Sequence, residues 1–313
     1  MWEIKVRLQT RLRPVRLRDP LYLPSPMGFL DPIRALNRHR PGEYLPWFAG
    51  GLRVGRVRPG LAETLLGHST VFVTEGGGIG LHPRLVGFEE RSAALRNVVR
   101  ALVHDGVVAH EHGERYAVTV DRPEHALCVL DRAAAAHFGI RAFGQHVNGF
   151  VRRADGLYMW IGRRARDRRN WPGRLDNLAA GGLPFGIPLA ANLAKECWEE
   201  AGVPAGLARQ AQAVGAVTYA YASDNGFKPD VLYCYDLELP ADFAPRCMDG
   251  EVEGFELMPL SEVAALVRDT TDFKPNCNLV VLDFLVRHGV VGPDHPEYLE
   301  IVGGLRSALD PPL

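Results

Sequence analysis

The chain has 313 residues, 47% of them apolar and 23% charged, with a formal net charge of −1. That length suits two domains better than one, and the apolar share is ample for packed cores. The near-neutral balance excludes a global nucleic-acid or membrane-surface footprint, and no apolar run reaches the ~18 residues of a membrane span. The five cysteines (Cys128, Cys197, Cys234, Cys247, Cys277) are odd in number and form no C-x-x-C pair. Reduced thiols in a cytoplasmic setting fit this better than a disulfide frame or a zinc site.

The start of the chain is basic, with Lys5, Arg7, Arg11, Arg13, Arg16 and Arg18 interleaved with valine and leucine. Glu3 and Asp19 intrude and serine is absent, so a mobile extension or a strand edge fits better than an organellar transit segment. Residues 1–124 read as a smaller α+β domain. Its elements are a short helix over 28–36, two short strands from Trp47 to Arg58 around Gly50-Gly51, and a helix from Pro59 to Leu66. From Glu89 to Val103, the residues Leu95, Val98, Val99, Leu102 and Val103 share one helical face. Beyond Asp105-Gly106, Val107–Ala109 and Tyr116–Val120 read as a hairpin turning at His112-Gly113-Glu114. A helix followed by a hairpin is also the order of a winged-helix DNA reader. Arg91, Arg96 and Arg100 are met by Glu89, Glu90 and Asp105, however, and leave no basic stripe of the kind phosphate neutralisation needs.

The boundary falls near Asp121-Arg122-Pro123-Glu124. A main domain follows over 125–290, and 291–313 read as a peripheral helix and tail. Arg132 to Phe138 suggests a helix. His146–Val151 and Leu157–Arg164 read as strands joined by the turn Ala154-Asp155-Gly156. Trp171–Asn177 leads into Leu178-Ala179-Ala180, the end of a strand, and then into a loop from Gly181 to Gly186. Pro188 suits a first helical position, and Gly202 suits a left-handed stop. Between them Leu189, Leu193, Cys197 and Ala201 make an apolar stripe.

This helix crowds Glu196, Glu199 and Glu200 onto one face, where like charges cost a few tenths of a kcal/mol per pair, roughly. They sit at the end that the helix dipole makes unfavourable for anions. Lys195 is the only local offset. A hard divalent cation, which prefers carboxylate oxygens, would offset the rest; a solvated acidic face is the plainer alternative.

The flanking residues favour the cation. Gly181, Glu196, Glu199, Glu200, Gly202 and Val203 match the pattern G-x5-E-x7-R-E-U-x-E-E-x-G-U, where U is bulky and apolar, and the chain here resembles the Nudix hydrolases. Ile187 stands where the first Glu of that pattern is expected, and Lys195 replaces its Arg. The longer run HVNGFV…WIGRR…WPGxLDNxxAGGLPxG is similar to one Nudix subgroup. Its members carry an extra N-terminal domain, and it is related to the Nudix part of thiamine pyrophosphokinase fusions. The resemblance implies a Nudix α/β/α sandwich with a mixed sheet, preceded by the α+β domain. It also implies a Mg²⁺-dependent enzyme, with Mn²⁺ able to substitute, that cleaves a small-molecule diphosphate. The expected substrate is thiamine diphosphate or an oxidised or damaged analogue, split into monophosphate and phosphate. Hydrolysis of a nucleoside diphosphate derivative is the alternative within the class, and a catalytically silent ligand-binding regulator is the alternative outside it. Family habit also admits a homodimer.

Site residues follow from the same likeness. Glu199 and Glu200 are expected to hold the metal, with Glu196 as a ligand or as the base that aligns water, and a Gly181 or Gly182 carbonyl completing the shell. After the box, Val214–Ala222 and Val231–Leu237 read as strands around a loop over 224–229. Asp249–Phe255 places Glu251 and Glu253 on one face if extended. Glu253, Glu251 and Glu256, in that order, are candidates for a further metal-binding or base carboxylate, against the alternative of solvated strand residues. Arg163, Arg164 and Lys228 are candidate phosphate contacts. Trp160, Tyr219 and Tyr221 are candidate stacking faces for a cationic ring, with core packing as the rival use. The first domain is expected to cover the active-site mouth and contribute to substrate choice.

Overall fold

The computed structural model describes residues 28–309, and the basic stretch from Lys5 to Arg18 lies outside them. In chain order the first part holds α1 (Leu30–Leu36), β1 (Leu45–Ala49), β2 (Leu52–Val57), α2 (Pro59–Leu66), β3 (Phe72–Glu75), β4 (Gly78–Leu81), α3 (Phe88–His104), β5 (Arg115–Val118) and β6 (Cys128–Asp131). The second holds β7 (Ala142–Arg153), β8 (Gly156–Arg164), β9 (Leu175–Asp176), β10 (Ala179–Gly182), α4 (Leu189–Ala201), α5 (Ala205–Ala208), β11 (Gln212–Ser223), β12 (Gly226–Glu238), β13 (Val252–Pro259), α6 (Leu260–Asp269), α7 (Pro275–Arg287) and α8 (Tyr298–Gly304).

The smaller body is a four-stranded sheet in the order β2-β1-β4-β3, in which β1 and β4 run parallel. The β3–β4 hairpin was not expected from sequence; its strands are short and turn at Gly76-Gly77, both at positive φ. Leu95, Val98, Val99 and Leu102 of α3 are buried as the helical spacing predicts, in one core with Trp47, Phe72 and Phe138. The Trp47 indole N–H donates to the Phe138 carbonyl at 2.6 Å, which satisfies a polar group in that core.

The hairpin after α3 differs from expectation. Val107–Ala109 is not a strand, and β5 pairs with β6 instead, through the turn that contains residues 121–124. The expected boundary thus lies inside a hairpin, and Cys128, Leu130, Phe138 and Ile140 share the core of Trp47. Both strands are spent on neighbours: β6 lies on α3, and β5 reaches the larger body. A free DNA-reading wing is therefore absent among the described residues. Arg132–Ala134 forms only a short 3₁₀ turn rather than the helix expected to Phe138.

The larger body is a mixed sheet in the order β11-β12-β7-β8-β13, with β12 and β7 parallel; β10 pairs with β7 and β9 with β8. Alternation along β7 sorts the two faces. Val147 and Val151 point to α4, with Leu193 and Cys197. Phe150 points to the other side with Met159, Ile161 and the apolar face of α7. The result is an α/β/α sandwich, as the sequence implies. The stretch from Gly226 to Pro229, expected to be loop, belongs to β12. Pro229 is tolerated because pairing with β7 begins only at Asp230, so its missing N–H faces no partner on that side.

Two terminal elements also join this body. Leu30, Ile33 and Leu36 of α1 pack with Ile301 and Leu305 at α8 and with α7, so α1 belongs to the larger core although it precedes the smaller one. The C-terminal stretch, read as peripheral, has Ile301 and Leu305 fully buried, and Thr218 N–H of β11 donates to the Leu305 carbonyl at 3.1 Å.

Candidate active site

The acidic helix α4 starts after Pro188, whose ψ of 141° makes it the cap rather than the first helical residue. It ends at Gly202, which is left-handed at φ 63°. Leu193, Cys197 and Ala201 anchor its apolar face under the sheet. That orientation turns Glu196 and Glu200, one helical turn apart, toward β10. Glu200 is 5% exposed, and its Oε2 accepts a hydrogen bond from the Ala180 N–H at 2.8 Å. Glu196 lies across Gly181, where any Cβ would collide with its carboxyl group. Gly181 is therefore needed as a close-approach residue. It and Gly182 belong to β10 and pair with Gln145 and Gly144, rather than opening a loop.

Glu199 takes a different place. Lys195 Nζ sits 2.9 Å from its carboxylate and 3.2 Å from that of Glu196. The cation in the place of the box arginine is thus held by carboxylates of its own helix. Ile187, in the place of the first box Glu, is exposed.

Burial pushes the Glu196 carboxyl up, with Lys195 pulling against it. Burial also lifts Glu200 well above the usual carboxylate range, and Asp176 adds to that. Two carboxyls raised in this way are under-neutralised by the protein, and a divalent cation is the group whose charge fits them. The backbone adds an oxygen. The Leu183 N–H donates to the Phe143 carbonyl, so by strand alternation the Gly181 carbonyl also faces β7. Ala180 and Gly182 face the open edge instead, as their bonds to Glu200 and from Asn192 Nδ2 indicate. The Gly182 carbonyl is taken by Asn192, and the Ala180 carbonyl lies on the same edge as Glu200.

On the opposite face of the sheet lies a second polar cluster, built by the HVN and LDN stretches. Asp176 pairs with Arg164 at 2.8 Å and Lys274 at 3.4 Å. His146 Nδ1 and Asn177 Oδ1 are 2.8 Å apart, and Asn177 Nδ2 donates to Asn148 Oδ1 at 2.9 Å. Burial pushes Asp176 up, but Lys274 and Arg164 outweigh it and hold the carboxyl well below its usual range. Burial depresses His146 to about 4, and the ring is neutral. His146, Asp176 and Cys277 bring ligand atoms within 4.8 Å of one another. Two cations already neutralise Asp176, though, and burial keeps the Cys277 thiol protonated. This cluster is an ion-pair network, not a metal cage.

The remaining candidates are dispersed. Arg164 is buried on Asp176 and is no phosphate contact. Arg163 is exposed and donates to the Gly173 carbonyl at 3.1 Å. Glu251 pairs with Arg168 at 2.8 Å and Glu253 with Arg166 at 3.5 Å. Glu256 lies on β13 opposite Ile161 of β8. Trp160 is half-buried against the core under α4, and Tyr219 and Tyr221 are buried in the core on the other face. The Tyr219 hydroxyl instead donates to buried Asp230 at 2.9 Å. Lys228 is 38% exposed, 3.9 Å from Asp230, with its ammonium 5.7 Å from the centre of the Tyr221 ring.

Two residues at this edge were not singled out from sequence. The Tyr116 hydroxyl lies against Gly182, where a Cβ would strike it, and Arg132 Cζ would be 3.5 Å from that Cβ. Arg132 pairs with Glu114 at 2.8 Å. The glycine pair was the available signal, since glycine inside a strand often marks another group's close approach.

A model of the NUDIX domain matches residues 142–277, and a domain of unknown function, DUF4743, matches residues 28–142. The chain is 41% identical over 284 residues to "Nudix hydrolase 24, chloroplastic" of Arabidopsis thaliana, covering 90% of this chain and 78% of that protein. It is 40% identical to "Nudix hydrolase 20, chloroplastic" of the same plant, with the same coverage. It is also 33% identical to the uncharacterized protein YJR142W of Saccharomyces cerevisiae, covering 71% of this chain and 69% of that one. Among solved structures, the MutT protein of Methanosarcina mazei Go1 aligns with 17% identity over 46% of this chain and 92% of its own, at a TM-score of 0.35.

Proposed function

The chain belongs to the Nudix hydrolases, and from that premise we propose that it cleaves thiamine diphosphate, or an oxidised or damaged analogue, to the monophosphate and phosphate with Mg²⁺. The observation that carries the diphosphate chemistry is the pair Glu196 and Glu200, one partly buried and one buried carboxyl, both raised by desolvation and aimed at one glycine strand edge. Nudix hydrolases generally use divalent metal ions, and Glu196, Glu200 and the Ala180 carbonyl are the groups that would hold one here. Bound there, the cation supplies positive charge against the phosphoryl oxygens and lowers the pKa of a water ligand. The thiamine assignment is supported by the run from His146 to Gly186, whose His146, Asn148, Asp176 and Asn177 build the network beneath the site.

The chain's own residues do the rest. Water adds to phosphorus as the bridging P–O bond breaks, and the proton it releases needs an acceptor. Glu196 is the better placed carboxylate, at 14% side-chain exposure, while Glu200 keeps one oxygen on the Ala180 N–H. Lys195 holds Glu196 and Glu199 in fixed positions. Asp176 and its cations fix β9 against α7 and set the loop that delivers β10.

Phosphate release from thiamine diphosphate, its oxidised analogues, ADP-ribose and nucleoside diphosphates, with and without Mg²⁺, tests this reading. Mg²⁺-dependent release confined to the thiamine compounds, and lost in Glu200→Gln, is the expected result. Turnover of nucleotides alone would sink the thiamine assignment and leave the hydrolase.

A further inference from the structure

The two glycines of β10 form a ribbon with no side chain of its own. Glu196 closes on one face at Gly181, and Tyr116 with Arg132 closes on the other at Gly182. The latter pair comes from the smaller body, one residue from β5 and the other from the turn after β6. Tyr116 is only 6% exposed, yet its hydroxyl has no hydrogen-bond partner among the described residues. Arg132 is 40% exposed, with its guanidinium 5.7 Å from the centre of the Tyr116 ring. One of its nitrogens meets Glu114, and the other guanidinium N–H groups make no side-chain hydrogen bond among the described residues. Tyr116 also lies in the field of Lys228, which β12 presents from the sheet.

Tyr116 and Arg132 thus keep spare donors at this edge, while Lys228 sits beside Asp230 and Tyr221. A phenol hydroxyl and a guanidinium with spare N–H groups can both donate to an anionic ligand. The protein anions around these groups are Glu114, paired with Arg132, Asp230, beside Lys228, and Glu196, which acts on Arg132 from the far face of the ribbon. What fits between them is an anion that can touch both faces at the open edge.

We propose that Tyr116, Arg132 and Lys228 form an oxyanion seat beside the box carboxylates. It takes phosphoryl oxygens of the diphosphate that the metal site leaves free. In this arrangement the smaller body supplies substrate-positioning residues. A guanidinium fork matches phosphate oxygens geometrically, the ammonium adds a point charge, and the tyrosine hydroxyl donates from the floor. The proposal rests on the diphosphate reading above, but it concerns binding and can be tested without turnover.

The test is calorimetric binding of inorganic diphosphate and of methylenediphosphonate in Mg²⁺, alongside steady-state kinetics. It uses the full chain and the variants Arg132→Gln, Arg132→Lys, Tyr116→Phe and Lys228→Gln. Loss of one charged donor should weaken diphosphonate binding about ten- to a hundredfold and raise KM similarly. kcat should move far less, Mn²⁺ binding at the box should be unchanged, and Arg132→Lys should recover part of the loss. A merely structural role would lower the melting temperature and leave KM and the binding constant where they were. If Arg132→Gln does not fold, Lys228→Gln at its partly exposed position decides alone. Wild-type hydrolysis with diphosphonate binding unaltered in these variants overturns the seat and leaves the hydrolase standing. Binding lost in the variants with no turnover of any substrate supports the seat and sinks the proposed reaction. A wild type that binds neither anion overturns both.

Discussion

The two faces of the sheet at β10 carry polar clusters of similar size and opposite logic. On the α7 face, Asp176 is met by Arg164 and Lys274, and His146, Asn177 and Asn148 close a hydrogen-bonded chain. Its charges are answered from within the protein. On the α4 face, Glu200 accepts one backbone N–H and Glu196 meets Lys195, and both carboxyls are raised. That cluster is left under-neutralised by the protein's own cations. The difference separates a structural polar core from a site: the first stabilises the fold, whereas the second is held at a cost that ligand binding offsets.

The comparison can be broken most forcefully at Asp176. Asp176→Ala leaves Arg164 and Lys274 buried without their carboxylate and should cost about 3–5 kcal/mol in urea unfolding. A loss below about 1 kcal/mol would mean that the α7 face is as open as the α4 face. Next comes Glu200→Gln, which should lower Mg²⁺-dependent hydrolysis on the order of 10²–10³-fold. The same variant, unfolded in EDTA, should be as stable as the wild type or more so by ~1 kcal/mol. It should also lose the thermal stabilisation that Mg²⁺ gives the wild type. A destabilised Glu200→Gln would erase the contrast.

His146 gives a smaller, pH-dependent readout. Its folded pKa is about 4 against the ordinary 6.5. Between those values the unfolded chain binds a proton that the folded chain refuses. Stability in EDTA should therefore be full above pH 6.5 and decline as pH falls toward 4, by at most roughly 3 kcal/mol. Denaturation midpoints over that range should flatten in His146→Gln; an equally steep profile would assign the effect to other groups. The smallest effect is expected at Glu199, whose carboxylate is on Lys195 rather than on β10. Glu199→Gln should reduce hydrolysis less than tenfold, in keeping with an exposed i, i+4 pair worth a few tenths of a kcal/mol. A loss matching that of Glu200→Gln would move the metal outward along the helix.

The acidic helix, its left-handed stop and the strand pair around Ala154-Asp155-Gly156 were legible in sequence because each rests on short-range spacing, whereas the sandwich followed from the family resemblance. Crowded glutamates marked the acidic face, but not that Glu196 and Glu200 rather than Glu199 turn inward; burial of Leu193 and Cys197 decides that. Arg164 read as a phosphate contact because nothing local shows Asp176 opposite it. Trp160, Tyr219 and Tyr221 alternate as surface or core residues alike, and only helices packed on both faces of the sheet settle them as core. Lys228 was placed in a loop by Asn225-Gly226 and Pro229, breakers that a strand tolerates where one edge is unpaired. Tyr116 and Arg132 were out of reach, since they meet Gly182 only through a fold of the smaller body that brings distant segments together.

The packing of α1 beneath α8 carries one more consequence. Because α1 is built into the larger core while β1 to β6 follow it, the smaller body is topologically an insertion, placed between the opening helix of the sandwich and its first long strand. During synthesis Ile33 and Leu36 emerge long before their cover at Ile301 and Leu305. Contacts so distant in sequence close slowly, so the layer that joins α1 to α8 is completed after the sheets it covers. A ribosome-bound chain halted before Tyr298 should display the apolar face of α1, with both sheets already formed.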